Sequence, residues 1–338
     1  MNEEKKPLGG TAIKPVGWDR SGLEKFQYFL YDPDTGAFLS RTPSSWVKII
    51  LFYSIYYSLL TIFWVSCLQI FFMTLPNDTP KWTLDESIIG SNPGLGLRPR
   101  MQDSRIDSSM YALAAGSKDT VPTNPEGEGS KNIDYAVRMK HFLGVYQNQT
   151  GLDNCSSDAN QVRVEGERNC IFDISVLAEC GEYPYGYLVN QPETNVAEPC
   201  ILLKFNKIWN WSPKPVDESK LDNPEYDTMS ENLKTRILKS MDKNYVWVDC
   251  AGRNPADRES VRIEYFPPNQ GIHLKYFPYR GNTYHTPLVA IKLRQVGEPV
   301  YYGQLIHLEC RAWFDGVIHD TKDKLGLVQF ELQLQPMN

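Results

Sequence analysis

The sequence predicts an all-β domain, an antiparallel sandwich with an added helix, that one transmembrane α-helix tethers to a membrane. Three observations lead to this fold class. One long uncharged apolar segment lies near the N-terminus, apolar and polar residues alternate repeatedly in the C-terminal part, and six of the seven cysteines follow the apolar segment. Short alternating segments joined by turn-rich connections are typical of a sandwich.

The composition excludes several classes of protein. The chain has 338 residues, of which 41% are apolar and 22% are charged, and its net charge is −6. Such a chain can bury at least one sizeable core, so it is neither collagen-like nor disordered throughout. Lysine and arginine number 35 against 41 aspartates and glutamates, with no basic run, so we expect no nucleic acid as a partner.

The apolar segment runs from Ile49 to Leu75 and contains no charged residue. About 20 such residues span a bilayer. A cleaved signal peptide is the alternative, but the segment begins too far into the chain, is too long, and lacks a small-x-small cleavage motif before Pro76. We therefore predict one retained membrane anchor over 49–75, which excludes a polytopic transporter.

Cysteines and glycosylation motifs predict the orientation of this anchor. Six cysteines and all four N-x-S/T motifs lie C-terminal to the span. Lysine and arginine are nearly equally frequent on the two sides of the span, so their distribution indicates no clear orientation. Cysteines and glycosylation both suit an oxidising lumen, and the one-sided placement disfavours chance motifs. We expect a cytosolic N-terminus, an extracellular C-terminus and a plasma-membrane location. The candidate glycosylation sites are Asn77, Asn148, Asn154 and Asn210.

Composition divides the rest of the chain into three segments. Residues 1–48 lack long apolar periodicity and are predicted to form a short cytosolic tail. Residues 76–129 are rich in glycine and proline and are predicted to form an extended extracellular connector. Residues 130–338 are predicted to form the folded, disulfide-bonded extracellular domain.

Periodicity assigns the helices and strands of that domain. After Ser130, a candidate helix cap, helical spacing of apolar residues predicts a helix over 131–147, and a second helical pattern lies near 229–242. Alternation predicts about seven strands, each with a buried and a solvent-facing side. These strands cover 170–177, 201–209, 245–250, 260–266, 288–296, 305–314 and 327–335.

The cysteines after the span predict a disulfide framework, although sequence alone does not choose among the many pairings. Cys250 and Cys310 each share a strand face with apolar residues, so we expect both thiols to point inward and to clamp two sheets. The cysteines are too widely spaced for a metal site, so we expect no metal, and Cys67 in the span is interpreted as a packing residue. Pairing by proximity gives Cys155–Cys170, Cys180–Cys200 and Cys250–Cys310.

An anchored extracellular domain is also compatible with an enzyme, which would be expected to carry a catalytic motif. There is no G-x-S-x-G, H-E-x-x-H or P-loop motif, and no D-x-D motif on the lumenal side. The histidines are isolated, and an isolated histidine is more often a surface or hydrogen-bonded residue than a base. We favour a binding module and expect no catalytic residue and no cofactor. The histidines are His141, His273, His285, His307 and His319.

Aromatic residues in the span are candidates for contact with another helix. Tyr53 and Tyr57 share one helical face, beside a strip of small hydroxyl residues that includes Ser54 and Ser58. Small residues allow helices to approach closely, and a tyrosine hydroxyl in hydrocarbon needs a partner. An interfacial aromatic belt is the alternative, and a partner helix is favoured because Tyr57 lies well inside the span.

Two aromatic motifs outside the membrane are candidates for a protein interface. YFPP at 265–268 and YFPY at 276–279 are dense in rigid aromatic residues. Buried packing at strand edges explains the same motifs equally well, so both interpretations stay open. The candidate interface residues are Tyr265, Phe266, Tyr276, Phe277 and Tyr279.

Several segments together resemble a known family. They are RTPSSWVKIILFYSIYYS entering the membrane, PGLGLRPR after it, the six spaced cysteines, PCILLKFNKIWNW, YFPY followed by PLVAIKL, and the late segment IHLECRAWF. They resemble the β subunits of the sodium/potassium- and proton/potassium-transporting P-type ATPases. The resemblance covers nearly the whole chain.

The resemblance implies a non-catalytic glycoprotein with an immunoglobulin-like sandwich and sequentially paired disulfides. It also implies an obligate complex with a ten-helix α subunit that hydrolyses ATP. Tyr53 and Tyr57 would contact the seventh transmembrane helix of that subunit, and the 265–279 region would cap its extracellular loop between helices seven and eight. A small single-span regulatory subunit is a further expected partner.

From these expectations we predict the β subunit of a sodium/potassium pump. It would assemble with the α subunit, stabilise it, deliver it to the plasma membrane and modulate its potassium affinity. A proton/potassium pump β subunit is the alternative within the family. Outside the family, the alternatives are a type II cell-adhesion glycoprotein acting without a pump and a lumenal enzyme.

Overall fold

The computed structural model divides the chain into two compact units, Met1–Asp78 and Thr79–Asn338, each described here by itself. Ser130, the predicted helix cap, lies outside the described residues. The structure describes residues 22–33, 36–100, 109–114, 131–155, 168–188, 197–281, 283–296 and 302–335.

One long helix dominates the N-terminal unit. Its described elements are α1 (Gly22–Leu30), β1 (Tyr31–Asp32), β2 (Ala37–Phe38) and α2 (Pro43–Met73). The strands β1 and β2 pair as an antiparallel hairpin. The indole nitrogen of Trp46 donates a hydrogen bond to the carbonyl of Phe38 at 2.8 Å, which ties the start of α2 to this hairpin.

The helix α2 is long enough to cross a bilayer. Its 31 residues extend over about 46 Å, which exceeds the ~30 Å hydrocarbon core of a membrane. None of its residues is buried, and it is the one helix among the described residues that is apolar and long enough for a span. It begins before the predicted start at Ile49, because Pro43 is well suited to a first helical turn, where its missing N–H costs no hydrogen bond.

The second unit is rich in strands. Its α-helices are α3 (Lys131–Gly144), α4 (Glu231–Lys239) and α5 (Pro255–Ser260). Its strands are β3 (Leu95–Arg98), β4 (Met110–Ala114), β5 (Cys200–Phe205), β6 (Tyr245–Gly252), β7 (Val261–Phe266), β8 (Gly271–His273), β9 (Leu288–Gln295), β10 (Leu305–Trp313) and β11 (Leu327–Gln335).

These strands form two sheets within the described part of the unit. One sheet has five strands in the order β4-β11-β10-β6-β8, and the other has four in the order β3-β5-β9-β7. Neighbouring strands are antiparallel, as predicted, except that β4 runs parallel to β11.

The segment 76–129 contributes a strand to each sheet. In it, β3 pairs with β5 so that Leu97 faces Leu203, and β4 pairs with β11 so that Tyr111 faces Leu332. Sequence patterning did not identify these strands, because β3 and β4 are short and glycine interrupts the alternation of β3.

Most predicted elements in the folded domain are confirmed. The helix predicted over 131–147 is α3 followed by a 3-10 turn at Val145–Gln147, and the pattern near 229–242 contains α4, whose cap Ser230 accepts the Leu233 N–H at 3.2 Å. Six of the seven predicted strands correspond to β5, β6, β7, β9, β10 and β11.

The strand predicted over 170–177 is wrong. The chain there forms a 3-10 helix over Ile174–Gly181, preceded by an isolated bridge at Cys170. The Asp173 carboxylate accepts hydrogen bonds from the backbone N–H and the hydroxyl of Ser175, at 2.9 and 2.6 Å. Such local side-chain bonds favour a turn over a strand, although the apolar alternation is the same.

Both sheets and α3 contribute to one hydrophobic core. Representative buried residues are Leu203 and Ile291 from the four-stranded sheet, Val248 and Leu308 from the five-stranded sheet, and Met139 from α3. A second cluster forms where α4 covers the opposite face of the five-stranded sheet. It includes Leu233, Ile237, Trp247 and Trp313, and the two tryptophans are register partners on β6 and β10.

Three disulfides connect successive cysteines: Cys155–Cys170, Cys180–Cys200 and Cys250–Cys310. The expectation that Cys250 and Cys310 clamp two sheets is wrong. They are register partners on β6 and β10, neighbouring strands of one sheet. Facing residues on paired antiparallel strands lie only about 4.5–5.5 Å apart, so two inward-facing cysteines reach each other without crossing the core.

Candidate partner-binding surfaces

The face of α2 that carries Tyr53 and Tyr57 is exposed. The two rings stack with centroids 5.9 Å apart, and the side chains are 49% and 57% exposed. Ser54 and Ser58 are also exposed on this helix. Side chains four residues apart lie one turn apart on the same face of a helix. The rings of Tyr53 and Tyr57 therefore form a continuous aromatic strip with a hydroxyl at the edge of each ring.

The hydroxyls of Tyr53 and Tyr57 differ from those of Ser66, on α2, and of Thr74, which follows α2. Ser66 donates to the carbonyl of Ile62 at 2.7 Å, and Thr74 donates to that of Phe71 at 2.7 Å, so these groups are satisfied within the helix. No described residue forms a hydrogen bond with the hydroxyl of Tyr53 or Tyr57. A tyrosine is too long to reach its own helix backbone, so these hydroxyls need an acceptor or donor from outside the helix.

The second candidate surface, the aromatic segment 265–279, is mostly packed into the domain. Phe277 is only 3% exposed, and its ring lies 5.3 Å from Trp211 and 6.1 Å from Phe205, centroid to centroid. Tyr276 is half-buried, 5.4 Å from the ring of Phe172. Phe277 therefore belongs to the core, and Tyr276 presents only part of its ring to solvent.

Tyr265 joins the two sheets. It lies on β7, and its hydroxyl accepts the Cys250 N–H on β6 at 2.8 Å and lies 3.3 Å from the Cys250 carbonyl, to which it can donate. Burial raises the pKa of the Tyr265 hydroxyl, so it stays protonated. The next residue, Phe266, is half-buried and packs against the core.

Tyr279 belongs to a half-exposed aromatic group that the sequence motifs did not reveal in full. Its ring lies 5.6 Å from Trp209 and 5.1 Å from Tyr284, and the Lys207 ammonium lies 5.1 Å from its centroid. Backbone pairing between residues 209 and 279 brings the two segments together. Trp209 and Lys207 lie far from Tyr279 in sequence, so only tertiary contact identifies them; the aromatic density of KIWNW is the one sequence signal.

The four glycosylation candidates, Asn77, Asn148, Asn154 and Asn210, are all exposed. Asn210 forms hydrogen bonds through both its backbone and its side chain. Its backbone N–H donates to the Tyr279 carbonyl at 3.0 Å, and its Oδ1 accepts from Arg280 Nε at 2.9 Å. This geometry leaves Nδ2, the atom that carries an N-linked glycan, as the free end of the side chain.

His273 makes structural contacts within the domain. His273 is buried, its Nδ1 accepts the Lys275 N–H at 3.0 Å, and its Nε2 lies 3.2 Å from the Asp242 carboxylate. Burial lowers the pKa of His273 from 6.5, and the charge of Asp242 opposes this effect. Among the described residues, no three His, Cys, Asp or Glu side chains are grouped closely enough to hold a metal ion.

These features define a class of protein: one apolar helix fit to cross a membrane, and a β-rich domain cross-linked by three disulfides. Sequence comparison narrows the class. The profile of the family described as "Sodium / potassium ATPase beta chain" matches residues 19–330.

Individual relatives agree with the profile. The chain is 32% identical to the sodium/potassium-transporting ATPase subunit beta-2 of Drosophila melanogaster, over 93% of each chain. It is 32% identical to subunit beta-1 of the same species, over 92% of this chain and 93% of the relative. It is 25% identical to the potassium-transporting ATPase subunit beta of Mus musculus, over 93% and 95%. This chain belongs to the sodium/potassium ATPase beta chain family, so it is an accessory subunit and not the catalytic one.

Proposed function

We propose that this chain assembles with the catalytic α subunit of a sodium/potassium-transporting ATPase, stabilises it and accompanies it to the plasma membrane. The observation that carries this proposal is the stacked, exposed pair Tyr53 and Tyr57 on α2. Tyr57 lies about 12 Å along the helix from Ile49, inside the hydrocarbon, where lipid offers its hydroxyl no partner. A polar group on a neighbouring transmembrane helix satisfies it.

Replacing both tyrosines tests this contact. Tyr53→Ala/Tyr57→Ala removes both rings and hydroxyls, so less α subunit should be recovered with the chain in a native pull-down, or the apparent potassium affinity of the ATPase should shift. Leu51→Ala/Ile55→Ala is the matched control, because these exposed side chains have the same spacing on the other side of the helix. If assembly and potassium affinity are both unchanged in the tyrosine variant, the proposed contact is wrong.

Modulation of potassium affinity requires a specific energetic relationship. A subunit changes ion affinity only when its contacts with the α subunit differ between the ion-bound states. The tyrosine pair supports such a role, because a buried hydroxyl bond is sensitive to small shifts of the partner helix. The expected signature is a potassium affinity that changes while maximal turnover per assembled complex does not.

We also propose that the extracellular domain caps the α subunit and adopts an immunoglobulin-like sandwich. Two sheets that share one core support the sandwich. The half-exposed rings of Tyr279 and Trp209, whose centroids lie 5.6 Å apart, support a contact surface. Tyr279→Ala should weaken assembly more than Tyr302→Ala, which removes an exposed ring elsewhere in the domain.

The proposed orientation places the second unit outside the cell. Three disulfides and four exposed N-x-S/T motifs on one side of α2 support it. Treatment of the native protein with peptide N-glycosidase should lower its mass and convert occupied asparagines to aspartates. A protein without any N-glycan would contradict the orientation.

A sodium pump is favoured over a proton pump because both relatives that share 32% identity with this chain are sodium/potassium-transporting subunits. The ion dependence of the co-purified ATPase decides between them. A native pull-down also shows whether a small single-span subunit accompanies the pair. A surface protein that recovers no large multi-span partner would instead favour cell adhesion.

A further inference from the structure

Four cationic side chains form a cluster along the antiparallel pair β3 and β5, with Lys204 within electrostatic reach of the other three. Arg98 ends β3, Arg100 follows it, Lys204 lies on β5 and Lys207 follows β5. The register pairs Gly96 with Lys204 and residue 98 with residue 202, so Arg98 and Lys204 are diagonal neighbours on one sheet face.

Glycine at position 96 makes room for this arrangement. A Cβ at Gly96 would lie 3.7 and 3.8 Å from the Cγ and Cε atoms of Lys204, so the lysine stem lies across the glycine. The ammonium of Lys204 therefore stays close to the sheet and is half-buried. A long side chain at position 96 would displace it.

Among the described residues, no carboxylate forms an ion pair with a side chain of this cluster. Arg98 donates to the Leu97 carbonyl at 2.6 Å, and Lys207 donates to the Tyr284 carbonyl at 3.1 Å. Other cations of the domain do have acidic partners: Lys292, for example, lies 2.9 Å from Glu179 and 3.2 Å from Glu198.

Without a counter-charge from the described residues, the positive charge on Lys204 is energetically costly. Burial, together with the charges of Arg98, Lys207 and Arg100, lowers the pKa of Lys204 from 10.5 to about 8. The chain has more acidic than basic side chains, with a net charge of −6, yet none of the described acidic side chains forms an ion pair with this cluster. A bound anion would offset both the burial and the mutual repulsion of the cations.

Aromatic rings accompany the cations. The Arg98 guanidinium lies 5.4 Å from the ring centroid of Phe142, and the Lys207 ammonium lies 5.1 Å from that of Tyr279. Both rings are half-exposed. Rings of this kind can pack against the C–H faces of sugars, while arginine and lysine bind sulfate and carboxylate oxygens through charge-assisted hydrogen bonds.

We propose that this surface, defined by Arg98, Arg100, Lys204 and Lys207, binds a sulfated oligosaccharide chain of the extracellular matrix or of a neighbouring cell surface. Four cations match a ligand with several charges better than a single phosphate. The half-exposed ring of Phe142, beside Arg98, favours a sugar over an acidic peptide, while Tyr279 is assigned to the contact with the α subunit. The proposal rests on the extracellular orientation given under Proposed function.

Binding of a defined probe to the full-length protein, purified with its partner in detergent, tests the proposal. The probe is a heparin-derived octasaccharide, and a desulfated octasaccharide and an octaglutamate peptide are the comparison ligands. Lys204→Gln/Arg100→Gln should weaken binding of the sulfated probe about tenfold or more, as expected for the loss of two charge-assisted contacts. Lys239→Gln/Lys322→Gln is the control, because it removes the same net charge from exposed lysines elsewhere.

Arg100→Gln alone, at an exposed position, serves as a second variant if the double variant fails to fold; it should weaken binding about threefold or more. Equal loss in the cluster and control variants would overturn the proposal, because binding would then follow net charge. So would tighter binding of octaglutamate, equal binding of the desulfated probe, or no binding by the wild type. The probe has access to every surface of the purified protein, so this binding test does not depend on the membrane orientation. The orientation is tested separately by the presence or absence of N-glycans.

Discussion

The hydroxyl of Tyr265 accepts the backbone N–H of Cys250 at 2.8 Å, across the gap between the two sheets. On this edge of β6, the short strand β8 pairs only with Tyr245–Trp247, and the Gln270 carbonyl then accepts the Val248 N–H at 2.8 Å. The tyrosine supplies the next partner along the same edge. A backbone group next to a disulfide would otherwise lack a protein partner.

Removing this hydroxyl should destabilise the domain. Tyr265→Phe keeps the ring but leaves the Cys250 N–H without an acceptor, which costs about 1–3 kcal/mol of unfolding free energy. Thermal unfolding and amide hydrogen exchange of the purified glycoprotein measure the effect, and exchange at Cys250 should accelerate. Tyr302→Phe is the control, because that ring is exposed. Equal stability of the two variants would contradict the role assigned to Tyr265.

The bridge Cys250–Cys310 should matter more than Cys155–Cys170. It closes a separation of 60 residues, against 15 for the other bridge. In the chain-entropy account this adds about 1 kcal/mol to a typical loss of 2–5 kcal/mol. Replacing both cysteines of a pair by alanine and measuring surface biotinylation of both subunits checks this. Normal surface delivery without Cys250–Cys310 would contradict the prediction.

Gly186 should tolerate no side chain. Its φ is +73°, and a Cβ there would collide with the backbone carbonyl of Glu198, next to the strand that carries Cys200. Gly186→Ala should cost about 3 kcal/mol or more, since left-handed strain of about 1–2 kcal/mol adds to the clash. Gly316→Ala isolates the strain, because Gly316 has a φ of +79° and open space around its Cβ position. Similar unfolding midpoints for both variants would show that the collision relaxes without cost.

Acid should destabilise the domain through His273. Burial lowers the pKa of folded His273 below the ordinary 6.5, so below about pH 6.5 the unfolded state binds the proton more readily. Stability from this group is therefore complete above pH 6.5 and falls with decreasing pH, by at most about 1.4 kcal/mol per pH unit.

His273→Gln tests this pH dependence. The variant should lose less stability than the wild type between pH 7.5 and 5.5, whatever its stability at neutral pH. His141→Gln, at an exposed position on α3, should keep the wild-type slope. Unfolding free energies measured across this range compare the slopes, and an unchanged slope in His273→Gln would exclude this histidine as the source.

Local patterns predicted a large part of the fold. The uncharged run became α2, helical spacing marked α3 and α4, and alternation located six strands. These properties depend on residues within one turn or one strand, so a single sequence reveals them. The 3-10 helix at Ile174–Gly181 was not predicted, because the hydrogen bonds between Asp173 and Ser175 favour a turn despite the alternating apolar pattern.

The candidate partner-binding surfaces were also only partly predictable from the sequence. The spacing of Tyr53 and Tyr57 placed them on one helical face from the sequence alone, because the helix itself sets that geometry. The fates of Tyr265, Phe277 and Tyr279 were open, since an inward and an outward aromatic residue look alike until the neighbouring strands are known.

The sequence by itself determined the apolar span, most helices and strands, and the family. The tertiary structure decided which strands are neighbours: β3 and β4 joined different sheets, Cys250 met Cys310 within one sheet, and Lys207 came to lie beside Tyr279. The physical reason is that hydrophobic periodicity records which side of an element is buried. The partner that buries it depends on contacts between residues far apart in the chain, which no local pattern encodes.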